Sequence, residues 1–163
     1  MRHATPSKYA TRFAVACWIT AGALLSACIP PDDQRPGLWL GASSAESFAT
    51  DWSFTEAHRE VALEVQTPYW IPHSVTIWCV SVDGDLFIAA RDPDTKRWPG
   101  WVAERHDVRL GIGEEIYEGR ATQVTDEETV AALRAAYQAK YELPPRAEGE
   151  GPPMRYWRVV PRG

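Results

Sequence analysis

The run His73-Ser74-Val75-Thr76-Ile77-Trp78-Cys79-Val80-Ser81-Val82-Asp83-Gly84-Asp85-Leu86-Phe87-Ile88-Ala89-Ala90 decides how the rest of the chain is read. Ser74 to Val82 is apolar and rich in β-branched residues, which suits a strand. Asp83-Gly84 then supplies two residues that tolerate positive φ, as the central positions of a two-residue hairpin require. Leu86 to Ala90 returns as the partner strand.

Upstream, Val61, Leu63 and Val65 alternate with Ala62, Glu64 and Gln66, the period-2 pattern of a half-buried strand. Thr55 to Gln66 also contains good helix formers, so a helix competes there. Pro68 and Pro72 interrupt the chain before the hairpin. Downstream, Pro99 suits the first turn of a short helix running to about His106, because its missing N–H is not needed there. Val108 to Ile112 and Ile116 to Val124 predict a second hairpin around Gly113-Glu114-Glu115. Thr125 and Glu128 have the spacing of a capping box, and Val130, Leu133, Tyr137 and Tyr141 follow at helical spacing. That helix ends before Pro144-Pro145, and Met154 to Val160 predicts a last strand. No internal repeat is present. The sum is a β-rich α+β domain of six strands, with a short helix between strands 3 and 4 and a longer one after strand 5.

The N-terminus carries a different signal. Arg2, Lys8 and Arg12 precede an apolar run from Phe13 to Leu25, broken only by Thr20 and closed by Leu25-Ser26-Ala27-Cys28. The run is shorter than the roughly 20 residues needed to span a bilayer. The layout is that of an export leader, and its last four residues resemble a lipobox. The resemblance implies a lipoprotein signal peptide at 1–27, cleavage before Cys28 and lipidation of that residue. Residues 28–50, with Pro30-Pro31, Asp32-Asp33 and Pro36-Gly37, then read as a tether, and 51–163 as the ordered domain. The expected location is the bacterial cell envelope, and Ile29 after Cys28 favours the outer membrane where two membranes exist.

Cleavage there would remove three of the 17 basic residues and none of the 22 acidic ones, leaving 14 against 22, a formal charge of −8. Such an acidic surface argues against nucleic acid as a partner. Cys79 would be the only remaining thiol, so no intramolecular disulfide can form. Its apolar neighbours make it a small buried hydrophobe rather than a nucleophile. His58, His73 and His106 match no zinc spacing, so no metal is expected. No Gly-x-Ser-x-Gly elbow is present. The seven tryptophans after Cys28 read as core and interface anchors.

The order of elements, together with Pro72-His73-Ser74-Val75-Thr76-Ile77-Trp78, Asp83-Gly84-Asp85-Leu86-Phe87-Ile88, Thr95-Lys96, Asp107-Val108-Arg109-Leu110 and Gly119-Arg120-Ala121, resembles the flavin-binding split barrel. This is the fold of pyridoxamine 5′-phosphate oxidase and the deazaflavin-dependent reductases, and the resemblance covers about residues 54 to 142. It implies a six-stranded split β-barrel that binds FMN or a deazaflavin and acts as an oxidoreductase on a small-molecule substrate. The matching positions are Arg91, Thr95, Lys96 and Arg97 for the cofactor phosphate and Val75, Thr76 and Ile77 along the ring. Catalytic residues are not indicated. Two departures stand out: Trp98-Pro99-Gly100-Trp101 replaces a polar helix, and Asp107 replaces a proline. The resemblance also implies a homodimer, with the Trp78 strand or the Trp98–Trp101 segment at the contact. The alternative is a cofactor-less split barrel that serves as a binding or envelope-interaction module, which filling of the groove by Trp98 or Trp101 would favour.

Overall fold

The computed structural model describes residue 37 and residues 39–145 and 150–162. The leader and Cys28 lie outside the described residues. Among the described residues eight strands and two α-helices follow in the order β1 (Ser43–Ser44), β2 (Val61–Gln66), β3 (Pro72–Ile77), β4 (Cys79–Val82), β5 (Asp85–Arg91), α1 (Trp98–Glu104), β6 (Asp107–Ile112), β7 (Glu115–Val124), α2 (Glu127–Tyr141) and β8 (Met154–Pro161). Short 3-10 turns occupy Ser53–Ala57 and Pro93–Thr95. The sheet runs β3-β2-β6-β7-β8-β5-β4, antiparallel throughout, and β1 adds a parallel bridge to β7.

Where one strand was expected from Ser74 to Val82, the chain forms two. β3 pairs with β2 through Val61↔Ile77, whereas β4 pairs with β5 through Cys79↔Ile88. Trp78 lies between them, so one nearly continuous segment provides both ends of the sheet, and the barrel is closed by the chain itself. With β1 this raises the strand count from the expected six to eight. The apolar run hid the break because both of its faces are buried. Ile77 and Cys79 face the main core with Leu63, Leu86, Ile88 and Leu110. Trp78, Val80 and Val82 face a second core that α2 covers with Leu133, Tyr137 and Tyr141.

The hairpin at Asp83-Gly84 has both residues at positive φ, 54° and 81°, as its sequence requires. Helix α2 starts one residue later than the capping box implied. Its N-cap is Asp126, whose carboxylate accepts from Thr129 N–H at 2.8 Å. Thr125 and Asp126 are both cap formers, and the backbone geometry selected the second.

The end of the stretch expected as a tether is laid on the barrel. Leu40 N–H donates to the buried carboxylate of Glu64 at 2.6 Å, and Phe48 meets Trp52 edge-on at 4.9 Å. Gly119 permits this approach: a Cβ there would stand 2.9 Å from the Val160 carbonyl oxygen and 3.0 Å from the Phe48 ring. Packing therefore begins about a dozen residues before Asp51. The docked residues contain no proline, and their Leu40 and Phe48 reach surfaces distant in sequence that local composition does not reveal.

Candidate functional site

A groove of about 1380 Å³ opens between the β3 side of the barrel and helix α2. Thr76 is its exposed strand residue, Val75 is half-buried, and Ile77 lines it while packing mainly into the core. β3 ends the sheet path and pairs with β2, and Gly37 N–H donates to its Ser74 carbonyl at 2.7 Å. His73 stands edge-on to Trp101 at 5.3 Å, and Trp101 lines the groove. Trp98 is 4% exposed and packs against Trp157 at 4.9 Å, so its indole belongs to the core, with only its edge at the groove. Neither tryptophan fills the space, and Trp98 is excluded as the expected interface anchor by its burial.

Of the residues expected to meet a phosphate, Arg91, Lys96 and Arg97 all line this groove. Thr95 does not. Its hydroxyl donates to the Asp92 carbonyl at 2.7 Å and closes the 3-10 turn, so it is not available for a ligand. Lys96 Nζ donates to the Arg91 backbone carbonyl. The loop's acids only partly neutralise them: Arg91 Nε is 3.6 Å from Asp92, and Asp94 is engaged by Arg155 at 3.2 Å. Arg97 has no ion pair among the described residues. The groove thus joins a strand edge, apolar walls and three cations, and its volume and donor set fit a flavin phosphate ester.

A smaller pocket of about 460 Å³ lies over β2 and β6. Its cations already have partners. Arg109 reaches Glu64 at 2.8 Å, Arg120 reaches Asp107 at 3.3 Å, and Arg162 reaches Glu118 at 2.8 Å. Arg105 stacks over Trp70 at 4.4 Å. These contacts brace the barrel wall.

Cys79 is fully buried, and burial pushes its thiol above the ordinary range despite Lys140 nearby, so it stays protonated. Among the described residues no three His, Cys, Asp or Glu side chains come together as a metal site. Arg134 and Tyr156 are among the groove residues that escaped sequence reasoning. Arg134 lies on α2 one turn after Val130 and one turn before Gln138, a spacing that marks one helix face, and Tyr156 lies on β8. No local spacing connects the two.

The sequence model of a family described as "Uncharacterized protein conserved in bacteria (DUF2255)" matches residues 54–149. No curated protein matches the sequence. Similar solved structures include a Listeria innocua protein provisionally described as a pyridoxamine 5′-phosphate oxidase, 15% identical, with 66% of this chain and 87% of that one covered and a TM-score of 0.53. A conserved hypothetical protein of Mycobacterium tuberculosis is 15% identical over 74% of this chain and 86% of its own, with a TM-score of 0.56. A Bacteroides thetaiotaomicron protein provisionally described as a 5-nitroimidazole antibiotic resistance protein is 9% identical over 73% and 82%, with a TM-score of 0.55. At these identities the likeness establishes the fold: a split barrel of the pyridoxamine 5′-phosphate oxidase type.

Proposed function

The chain belongs to the DUF2255 family of bacterial proteins, and from that premise and its split-barrel fold we propose that it binds a flavin, FMN or a deazaflavin, in the groove beside β3 and acts as an oxidoreductase on a small molecule. The observation that carries the reading is the open groove that Arg91, Lys96 and Arg97 line together with Val75, Thr76 and Ile77 of β3. The cationic side chains would hold the phosphate, and Val75, Thr76 and Ile77 would support the ring. When bound, the flavin supplies the electron-transfer chemistry. The protein's own part is binding, orientation and exclusion of water. The names of two similar structures, one an oxidase and one a nitroimidazole resistance protein, are consistent with redox work on small molecules.

The test is a titration of FMN and riboflavin into wild type and the Arg91→Ala, Lys96→Ala and Arg97→Ala variants, followed by quenching of flavin fluorescence. A charge-assisted hydrogen bond contributes about 1.5–3 kcal/mol, so each loss should weaken FMN by roughly tenfold to a hundredfold and leave riboflavin nearly unchanged. If wild type binds neither flavin nor a deazaflavin at micromolar concentrations, the cofactor-less binding module takes the place of the enzyme.

A homodimer, lipid anchoring through Cys28 and residence in the cell envelope belong to the same proposal. With Trp98 buried, the expected contact segment keeps the half-buried Trp101, and Tyr69 beside it opens onto the exposed run Tyr69-Trp70-Ile71, where Trp70 is 74% exposed. Light scattering that returns a monomer mass at micromolar protein would remove the dimer from it.

A further inference from the structure

Three tyrosines, Tyr137, Tyr141 and Tyr156, belong to the core that α2 covers, and two of their hydroxyls are satisfied inside the protein. Tyr137 OH lies 3.2 Å from the carbonyls of both Trp78 and Phe87. Tyr141 OH accepts from the Cys79 amide at 2.9 Å and reaches the carbonyls of Cys79 and Arg59. Tyr156 is 3% exposed and packs on Tyr137 at 5.7 Å, yet its hydroxyl has no hydrogen-bond partner among the described residues. The one fully enclosed, unpartnered side-chain polar atom among those residues is Gln66 Nε2. The Tyr156 hydroxyl is therefore not sealed in; it touches the open volume of the groove that the residue lines.

Arg134 lines the same groove, half-buried, with no ion pair among the described residues. That isolation contrasts with Arg109, Arg120, Arg155, Arg158 and Arg162, each of which faces a carboxylate. Burial pushes the Tyr156 hydroxyl above its ordinary range and the Arg134 charge pulls it back only in part, so at neutral pH the hydroxyl is a donor beside a guanidinium. Both groups thus face the open groove with donors that no protein acceptor among the described residues takes up, and one anionic acceptor placed there would accept from both.

We propose that Arg134 and Tyr156 form a carboxylate subsite, which takes the acid group of a small organic acid whose apolar body lies along Val130, Tyr137 and Leu143. This names the substrate class of the groove and rests on reading that groove as a small-molecule site. One guanidinium and one neutral hydroxyl match the charge and planarity of a carboxylate. A phosphate dianion is better matched by the Arg91, Lys96 and Arg97 group.

The experiment uses benzoate and benzamide, which share a ring and differ in charge, titrated into 15N-labelled protein with and without FMN. The amides of residues 134 and 156 and the Arg134 Nε–H report binding. Benzoate should saturate these shifts, and benzamide should bind at least roughly tenfold more weakly. Arg134→Gln should weaken benzoate by roughly tenfold to a hundredfold and leave benzamide unchanged, whereas Tyr156→Phe, which keeps the ring on Tyr137, should weaken benzoate by roughly threefold to tenfold. Should Arg134→Gln not fold, Arg134→Lys keeps the charge, loses the planar fork and should still weaken benzoate. Equal affinity for the two probes, no benzoate binding by wild type, or benzoate affinity unchanged in the folded Arg134 variant overturns the subsite. FMN binding without benzoate binding sinks this inference alone; benzoate binding without FMN binding sinks the flavin reading alone.

Discussion

Tyr141 lies flat against Trp78, with ring centroids 4.2 Å apart and planes 8° apart, and its hydroxyl accepts the amide hydrogen of the next residue, Cys79, at 2.9 Å. The last residue of α2 thus pins the point where β3 becomes β4. Tyr141→Phe would keep the stack and strip the buried Cys79 N–H of this partner. A buried donor left unpaired costs about 1–3 kcal/mol, so thermal unfolding should move down measurably. An unchanged midpoint would show that the stack alone holds the bend.

Gly119 tests the docking of the segment before Asp51. Its missing side chain leaves room for the Val159 methyl at 2.9 Å, the Val160 carbonyl at 2.9 Å and the Phe48 ring at 3.0 Å. The carbonyl belongs to the β8 backbone and cannot swing away like a side-chain tip. Gly119→Ala should destabilise by about 1–3 kcal/mol through overpacking. It should also speed proteolysis ahead of Asp51, because Phe48 must give way. Stability equal to wild type would contradict this contact.

Acid should weaken the start of α2. The Asp126 carboxyl is held below its ordinary 3.8 by hydrogen bonds from Thr129, the side-chain hydroxyl foremost and the backbone N–H next. A group whose folded value is depressed adds stability above the unfolded value and loses it as pH falls through the folded one. Chemical denaturation from pH 6 to pH 2 should therefore show an acid-side loss that Asp126→Asn lacks. Identical profiles for the two proteins would sink the assignment.

Cys28→Ser tests the proposed anchor. Two acyl chains bind a membrane stably and one only marginally, so loss of a diacylglyceryl-modified cysteine should move the protein from the membrane fraction to the soluble one. Membrane retention by the serine variant would count against lipidation.

The parts of the fold that depend on short-range geometry were legible in the residues. Asp83-Gly84 must turn because both positions sit at positive φ. The helical stripe predicted buried Leu133, Tyr137 and Tyr141 because helical spacing puts them on one face. The break at Trp78 was not legible, since alternate residues are apolar on both sides of it and only the pairing partners change. Thr95 illustrates the same limit at the site. Its hydroxyl suits a phosphate as well as it suits the turn, and only the backbone placed the Asp92 carbonyl within 2.7 Å of it.

The sequence by itself determined the element order, the two hairpins, the helix that caps the second core and the cationic loop from Arg91 to Arg97, because each depends on residues within a few positions of one another. The tertiary structure decided the rest. It split one strand to close the barrel, turned Trp98 into the core and kept the groove open, docked Leu40 on Glu64 across 24 positions, and brought Arg134 of α2 to the same groove as Tyr156 of β8. Those outcomes depend on which distant surfaces meet, and a local pattern contains no term for that.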